Sequence, residues 1–427
     1  MVLYLLLAVA PIALMVLFTP PSARSFLREL SVSIAFGALA ILGLQLVLTA
    51  RLRRLKAPYG IDTVYHFHKS MSLVALFMVL THVSLLVIDD PGTLRLFNVV
   101  SAPTRARLAV LALLALFVIV ISSAFRRGVR LNYEAWRYAH GASALILIGS
   151  AVAHVELVGY YVNSPFKRWL WLVYPAAWIA VLVWSRIVKP VLLLKRPWFV
   201  ESVTAERGRS WTLGLRSRGR PMEFDPGQFV WLHLGSTPFA MAEHPFSISS
   251  SAERGETIEL TIKESGDFTS GIADIEVGQK AYVDGPYGQF SVDRHRADAY
   301  VFVAGGVGIT PIMSMLRTLR ARGDRRTLVL IYAARSFDDM VFFDEITEIA
   351  SDLDLEFVPV PQRPSPGWGG ESGRVDSGLL SRYRLDSEGH VEYFICGPEK
   401  MLKSVSGALR KIGVHPSHVR YELFGLV

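Results

Sequence analysis

A chain of 427 residues is long enough for two or three domains, and this one is 51% hydrophobic with a formal net charge of +8. Its long apolar runs lie before about residue 190 and its basic residues flank them, so the charge reads as membrane topology and no nucleic-acid partner is expected. A single cysteine, Cys396, excludes a disulfide framework, an iron–sulfur cluster and a cysteine-based zinc site; it also suits a catalytic half in a reducing cytosol.

Six apolar segments, at roughly 3–19, 31–50, 64–88, 107–125, 138–160 and 168–188, have the length of membrane-crossing helices. Pro20-Pro21-Ser22-Ala23 could end a signal peptide, but the preceding run is long and lacks a basic start, so a retained helix is expected. Arg51, Arg53, Arg54 and Lys56 follow segment two. Arg126, Arg127, Arg130 and Arg137 lie between segments four and five, and Arg186, Lys189, Lys195 and Arg196 end the sixth. The alternate loops carry fewer (Arg24, Arg28; Arg95, Arg105, Arg107; Lys167, Arg168). The bias predicts a multi-pass protein of the cell membrane with both termini in the cytoplasm.

Segments three and five each carry two histidines fourteen residues apart, His68 with His82 and His140 with His154 (82−68 and 154−140). Fourteen steps of ~100° end about 40° short of whole turns, so both rings share one helix face, about 21 Å apart along the axis. Both segments are odd-numbered and run in the same direction. His68 therefore pairs with His140 near the cytoplasmic side, and His82 with His154 toward the outer side. Four imidazoles at two depths suffice to ligate two haems axially. Hydrogen bonding to a neighbouring helix, or a proton relay, is the alternative for any one of them. His66 is sixteen residues from His82, about 160° out of phase, and is left at the interface. Haems ligated on both faces have no open iron position and pass single electrons at their edges.

From about Trp198 to Asp293 the pattern changes to short alternating strands such as Phe229–Leu234, separated by glycine and proline. That pattern predicts a small antiparallel barrel. Three polar turns stand out: His244-Pro245-Phe246-Ser247 with Ile248-Ser249-Ser250, Lys263-Glu264-Ser265-Gly266-Asp267-Phe268-Thr269, and Asp284-Gly285-Pro286-Tyr287-Gly288. Hydroxyls and backbone N–H groups of this kind can hold a flavin edge and a pyrophosphate. After residue 298 strands alternate with helices. Ala299–Ala304 leads into Gly305-Gly306-Val307-Gly308, with Thr310 as the expected helix cap and Pro311 in the first turn. Glycines there allow close approach of a phosphate to a helix N-terminus. Strands at Leu328–Ala333, Leu355–Val360 and Val391–Cys396 predict a parallel sheet with its ligand at the strand C-termini. Arg335 sits where a 2′-phosphate would lie, favouring NADPH, whereas Asp338 and Asp339 argue for NADH. Cys396, followed by Gly397 and Pro398, either lies beside a nicotinamide or packs as a small buried residue. Residues 361–376 read as a mobile loop.

Over nearly its whole length the sequence resembles the membrane NADPH oxidase and ferric reductase superfamily in its short prokaryotic form. The two fourteen-residue spacings match the family's haem ligands. His244-Pro245-Phe246-Ser247 is similar to its His-Pro-Phe-Thr flavin motif, with Ser for Thr, and Gly266 and Thr269, beside Lys263, fall where it contacts the FAD pyrophosphate. Gly305, Gly306, Gly308, Thr310 and Pro311 match its pyridine-nucleotide loop, and Cys396-Gly397-Pro398 its nicotinamide-side turn. Glu422-Leu423-Phe424 resembles the ending whose aromatic ring covers the flavin, although three residues follow Phe424. The resemblance implies a six-helix transmembrane bis-haem bundle (1–190), a FAD-binding β-barrel (191–296) and an NAD(P)H-binding α/β domain (297–427), the last two forming a ferredoxin-reductase-like module. It implies FAD, two haems b and NADPH or NADH as cofactors, with Cys396 and Phe424 closest to the chemistry. The expected activity is a superoxide-generating NAD(P)H oxidase, electrons crossing the bilayer to O2, with Arg28 as a positive residue near the outer haem edge. Ferric chelate, an extracytoplasmic protein or quinone are the alternative acceptors. No calcium-binding loop of EF-hand type is recognised, and no obligatory regulatory subunit is expected.

Overall fold

The computed structural model describes all residues except 1, 18–23, 53–60, 127, 129–131, 220, 236, 241–242, 254, 386–388 and 424–427. Arg53, Arg54, Lys56, Arg127, Arg130 and Phe424 lie outside the described residues. The chain divides into two compact units, residues 1–56 with 63–190 and residues 57–62 with 191–427.

The first unit is helical: α1 (Val2–Leu17), α2 (Phe26–Thr49), α3 (Ile61–Asp89), α4 (Thr104–Phe125), α5 (Tyr133–Val158) and α6 (Pro165–Val183), then a π-turn at Trp184–Val188 and α7 (Lys189–Leu194). Among the described residues, five helices are long and apolar enough to cross a membrane, the last being the continuous run Pro165–Leu194. α1 is described over 16 residues, Val2–Leu17, within the expected segment 3–19 but for its first residue and the undescribed end. α5 and α6 start five and three residues before their expected positions (138−133 and 168−165). Apolar patterning marks only the part of a helix facing hydrocarbon, whereas polar caps set its start. Asn132 accepts the N–H of Glu134, and Ser164 that of Lys167. α2 is the central helix: the Trp178 indole of α6 lies where a side chain at Gly43 would stand, so only glycine permits that crossing.

The second unit begins with six antiparallel strands, β1 (Trp198–Glu206), β2 (Ser210–Ser217), β3 (Phe229–Leu234), β4 (His244–Ser247), β5 (Thr257–Lys263) and β6 (Lys280–Tyr287), in the order β4-β3-β6-β1-β2-β5. An antiparallel bridge between Ile248 and Leu260 joins the two edge strands and closes the barrel. Its interior is filled by Leu213, Leu215, Val230, Leu232, Ile258 and Leu260 among others. Two of the stretches expected as turns are strand: His244–Ser247 is all of β4, and Asp284–Tyr287 ends β6. Between β5 and β6 lies the single turn α8 (Asp267–Ser270).

A five-stranded parallel sheet follows, of β7 (Ala299–Gly305), β8 (Thr327–Ala334), β9 (Leu355–Pro361), β10 (Val391–Gly397) and β11 (Val419–Leu423), in the order β11-β10-β7-β8-β9. Helices α9 (Ile309–Ala321) and α10 (Phe343–Asp352) cover one face, while α11 (Ser377–Arg382) and α12 (Glu399–Lys411) cover the other. Tyr300 and Phe302 pack toward the first pair, Val301 and Val303 toward the second. Burial on both faces is why β7 reads as an unbroken apolar run. Residues 361–376, expected to be mobile, are tied down. Trp368 donates from Nε1 to the Glu371 carbonyl at 2.8 Å and meets the Phe337 ring edge-on at 4.7 Å.

Candidate functional site

In the helical unit all four spaced histidines are partly buried, and His66, placed on another face by its phase, is exposed. The rings of His68 and His140 face each other with centroids 6.4 Å apart and planes inclined by 55°. Two imidazoles ligating one metal through bonds of about 2.0 Å place their centroids about 6.3 Å apart. The first pair therefore stands at the separation that a single shared iron requires. His82 and His154 lie toward the opposite ends of α3 and α5 from that pair.

The remaining ring nitrogens give the second test, because a ligating imidazole usually donates its other N–H to a protein acceptor. His154 Nδ1 lies 2.7 Å from the Arg105 carbonyl. His82 Nδ1 lies 3.0 Å from the Ser31 carbonyl and 2.8 Å from Ser31 Oγ, whose proton goes to the His82 carbonyl at 2.9 Å. His140 Nδ1 lies 3.3 Å from Ser123 Oγ, which spends its own proton on the Ile119 carbonyl at 2.6 Å. In each case the acceptor assigns the proton to Nδ1 and leaves the Nε2 lone pair for a ligand. The His68 Nδ1 is buried with no hydrogen-bond partner. By this test His82, His140 and His154 fit ligation through Nε2, and His68 fits only by its separation from His140. Sequence reasoning had no access to Ser31 or to the Arg105 carbonyl, 51 and 49 residues from their partners.

The expected outer-side charges are engaged with one another. Arg28 Nε lies 2.9 Å from the Asp89 carboxylate, which also accepts from the Ser25 hydroxyl. Asp90 accepts the Gly92 N–H at 2.9 Å as the cap of the following turn. Arg28 is thus one partner of an ion pair joining α2 to the end of α3.

In the barrel, β4 aligns the flavin-motif residues. His244 stacks on Phe268 with centroids 4.0 Å apart, and Phe246 lies 6.1 Å from the same ring. The Ser247 hydroxyl is buried with no hydrogen-bond partner, and leaving such a group unpaired costs about 1–3 kcal/mol. An orphaned donor beside a row of flat rings fits the edge of a planar heterocycle. Thr269 Oγ1 accepts the N–H groups of Ser265 and Gly266 at 2.8 and 2.9 Å, so those donors close the loop. The N–H groups of Asp267 and Phe268, in the first turn of α8, are the ones without intrahelical acceptors. Lys263 lies 3.6 Å from Asp339, a partner the sequence reading did not consider.

The nucleotide loop shows why its glycines are glycines. A side chain at Gly305 would strike Met401 and Pro398, and one at Gly308 the backbone of Cys396 and Gly397. These two glycines are therefore required for packing against the Cys396-Gly397-Pro398 turn. Gly306 differs: it holds φ +54° and has open space where a Cβ would point. Helix α9 begins at Ile309, one residue before the expected cap, because residues 306–308 already form a 3₁₀ turn. Thr310 therefore sits inside the helix with Pro311 behind it, and its hydroxyl donates to the Val307 carbonyl at 2.7 Å. No side chain caps this helix; the Ile309 N–H is taken by the Gly306 and Val307 carbonyls of the preceding turn, and Pro311 has no N–H. Arg335 is exposed just past β8.

Cys396 has no exposure and packs in the core layer beside Phe394. Burial, with the Glu422 carboxylate adding to it, pushes its thiol well above the ordinary range. A neutral, enclosed thiol favours the packing alternative read for Cys396. The C-terminal strand, absent from the sequence reading, pairs Glu422 with Cys396 and brings the Glu422 carboxylate close to Gly288 at the end of β6. The last described residues thus reach the barrel.

Helix α9 also carries a second face onto the barrel. Ser314 donates to the Ser250 carbonyl at 2.7 Å, and Thr318 accepts the Ala252 N–H at 2.9 Å. Arg317 reaches the Ser249 carbonyl at 3.0 Å and the carboxylates of Glu259 and Glu345 at 2.7 Å. The helix that starts at the nucleotide loop is bolted to the segment that follows the flavin motif.

Three family descriptions match in succession: a ferric reductase like transmembrane component over residues 34–151, a FAD-binding domain over 212–291 and an oxidoreductase NAD-binding domain over 302–407. The reductase subunit Stc4 of stachydrine N-demethylase from Rhizobium meliloti (strain 1021) is 31% identical over 215 residues, covering 48% of this chain and 60% of that protein. Ferredoxin–NADP reductase B of Sorangium cellulosum (strain So ce56) is 30% identical over 219 residues, covering 49% of this chain and 88% of that protein. The chain spans less than two thirds of the length of several curated relatives, 60% and 59% in two cases. Among solved structures, the FAD/NAD-binding domain of a nitric oxide dioxygenase from Vibrio cholerae O1 biovar El Tor aligns with a TM-score of 0.48 at 20% identity, over 54% of this chain and 98% of that one.

Proposed function

The chain belongs to the NADPH oxidase and ferric reductase superfamily, its second unit carrying a ferredoxin–NADP reductase module, and from that premise we propose that it oxidises cytosolic NAD(P)H and delivers electrons across a membrane to O2, yielding superoxide. When bound, FAD divides a hydride's electron pair into single electrons and two haems b relay them. His68 with His140 would hold the inner haem and His82 with His154 the outer one, both termini being cytoplasmic and the apolar helices forming a six-helix bundle. Ser247 and the β4 aromatic row would hold the flavin ring. Gly306 and the start of α9 would receive the nucleotide phosphates, with Gly397 and Pro398 closing the nicotinamide side. The observation that carries the proposal is the facing pair His68 and His140 at 6.4 Å.

Oxygen is favoured over ferric chelate by the outer acidic residues. Asp89 is neutralised by Arg28 and Asp90 caps a turn, so neither carboxylate is available as an iron ligand. Full-length protein supplied with NADPH or NADH, FAD and haem decides between the two. Cytochrome c reduction abolished by superoxide dismutase is the expected outcome; dismutase-insensitive reduction of a ferric chelate would transfer the assignment to a ferric reductase.

Arg335 is proposed to select NADPH by meeting the 2′-phosphate. A hydrogen bond to a charged group contributes about 1.5–3 kcal/mol, on the order of 10- to 100-fold in affinity. Arg335→Ser is expected to raise KM for NADPH by that factor and leave KM for NADH unchanged, in steady-state kinetics of flavin-dependent dye reduction. Equal effects on both nucleotides would remove the assignment.

A further inference from the structure

A second cluster of nitrogen and oxygen donors lies at the other end of the parallel sheet from the nucleotide loop. Glu392, near the start of β10, has a side chain only 3% exposed. His390 Nε2 lies 2.9 Å from its Oε1, and His418 Nδ1 lies 3.8 Å from the same oxygen. The ligand atoms of these three residues all fall within 4.8 Å of one another, and the rings of His390 and His418 meet with centroids 4.6 Å apart. The strand register explains the gathering. His390 and Glu392 are two residues apart and so point to the same side of the chain. Val419 pairs with Tyr393 across β10 and β11, which sets the preceding residues, His418 and Glu392, opposite one another. The N–H of His390 is fixed by Asp298 Oδ2 at 2.8 Å.

Two details separate this cluster from an ordinary hydrogen-bonded surface group. The His418 Nδ1 is buried and makes no hydrogen bond, although it is directed at the carboxylate. Arg420 holds the carboxylate from its far side, through Nε to Oε2 at 2.9 Å and Nη2 to Oε1 at 3.1 Å. An ionised carboxylate has about four lone-pair sites. Arg420 takes one on each oxygen, orienting the group and leaving Oε1 a lone pair toward the two imidazoles. We infer that His390, Glu392 and His418 form a binding site for a divalent transition metal, Zn2+ by its donor set, which staples the C-terminal strand β11 to β10.

Two imidazoles and a carboxylate suit zinc, with water in the fourth position. Metal–ligand bonds of about 2.0 Å in a tetrahedron set ligands about 3.3 Å apart. Closing from 4.8 Å needs only small rotations of the exposed His390 ring and the partly exposed His418 ring. The hydrogen now on His390 Nε2 would move to Nδ1, so the ring ligates in its neutral form. Because Arg420 offsets the charge of Glu392, a dication enters a site of no net charge, and affinity should be lower than at closed cysteine-based sites. Occupancy would hold the start of the strand whose other end brings Glu422 to Gly288.

The test uses the full chain with its cofactors, purified without a histidine tag, and Zn2+ alone as the probe. Competition against a chromophoric zinc chelator is expected to give one saturable equivalent for the unaltered protein. His390→Ala and His418→Ala are each expected to weaken it more than about tenfold, since even outer-shell partners of ligating histidines contribute 10- to 100-fold. Zn2+ should also raise the thermal midpoint of the unaltered protein and leave that of both variants unmoved. Both residues are at least partly exposed, and an unchanged flavin spectrum checks that the variants are folded. Saturable uptake that is equal in both variants and the unaltered protein, or no saturable uptake at all, overturns the proposal.

Discussion

Alanine in place of His82 or His154 is expected to leave one haem b per chain where two are proposed for the unaltered protein. The Soret absorbance per flavin would fall to about half, because a haem deprived of one axial imidazole is no longer clasped from both sides. Reduction of the flavin by NAD(P)H should proceed at an unchanged rate, since its residues lie in the separately folded unit from 191 onward. Reduction of the extracytoplasmic acceptor should fall to background. Pyridine haemochrome assay, stopped-flow flavin bleaching and acceptor reduction read the three quantities independently. Ser31→Ala should act in the same direction more weakly: the Ser31 carbonyl remains, and the hydroxyl's contacts to His82 Nδ1 at 2.8 Å and to the His82 carbonyl at 2.9 Å are lost. Two haems retained in both histidine variants would remove the ligand assignment.

The second large effect is expected at Gly308, and the contrast with Gly306 gives it meaning. A Cβ at Gly308 would press on backbone atoms of Cys396 and Gly397, which cannot rotate away. Its own backbone is ordinary, with φ −63°. Gly308→Ala should therefore cost about 1–3 kcal/mol by overpacking, lowering the thermal midpoint by roughly 5 °C or more. Nucleotide KM would rise as a consequence of the displaced loop. Gly306→Ala meets no atoms but must hold φ +54°, a cost of about 1–2 kcal/mol for an L-residue. Its main effect should be on nucleotide KM, because the methyl group covers the open face of the backbone. Thermal unfolding followed by flavin release, set beside KM for each variant, distinguishes the two roles. Equal melting losses with unaltered KM would mean that neither glycine faces the nucleotide.

The order of elements was legible because each carries its own periodicity. The two histidine pairs follow from helical phase alone, and β7 announces itself as a buried parallel strand by an uninterrupted apolar run. The barrel was legible as a class, but two of its marked turns proved to be strand. Proline and glycine within 244–247 and 284–287 look like turn formers, yet β4 is an edge of the sheet order and β6 carries an irregularity opposite Phe229 and Trp231, both positions that tolerate them. Strand β11 was missed because Val-Arg-Tyr-Glu-Leu is short and half polar, and it exists through pairing to β10. The packing demand at Gly305 and Gly308 was hidden for a related cause. Local sequence says that a side chain is missing, but only the fold says whose atoms occupy the space. Partners contributed by backbone, such as the Arg105 carbonyl at His154, leave no trace in residue identity.

Both acceptors for the α5 histidines belong to one element: Arg105 near the start of α4 meets His154, and Ser123 near its end meets His140. Eighteen residues (123−105) of uninterrupted helix fix that interval at about 27 Å along the axis. α4 is therefore a gauge bar laid beside α5, and the tolerance of the two levels is that of a single rod. Connecting segments at either end can lengthen or drift in composition without disturbing the vertical calibration. Deleting or adding one residue within the rod would turn one support away by ~100° while the other kept its seat.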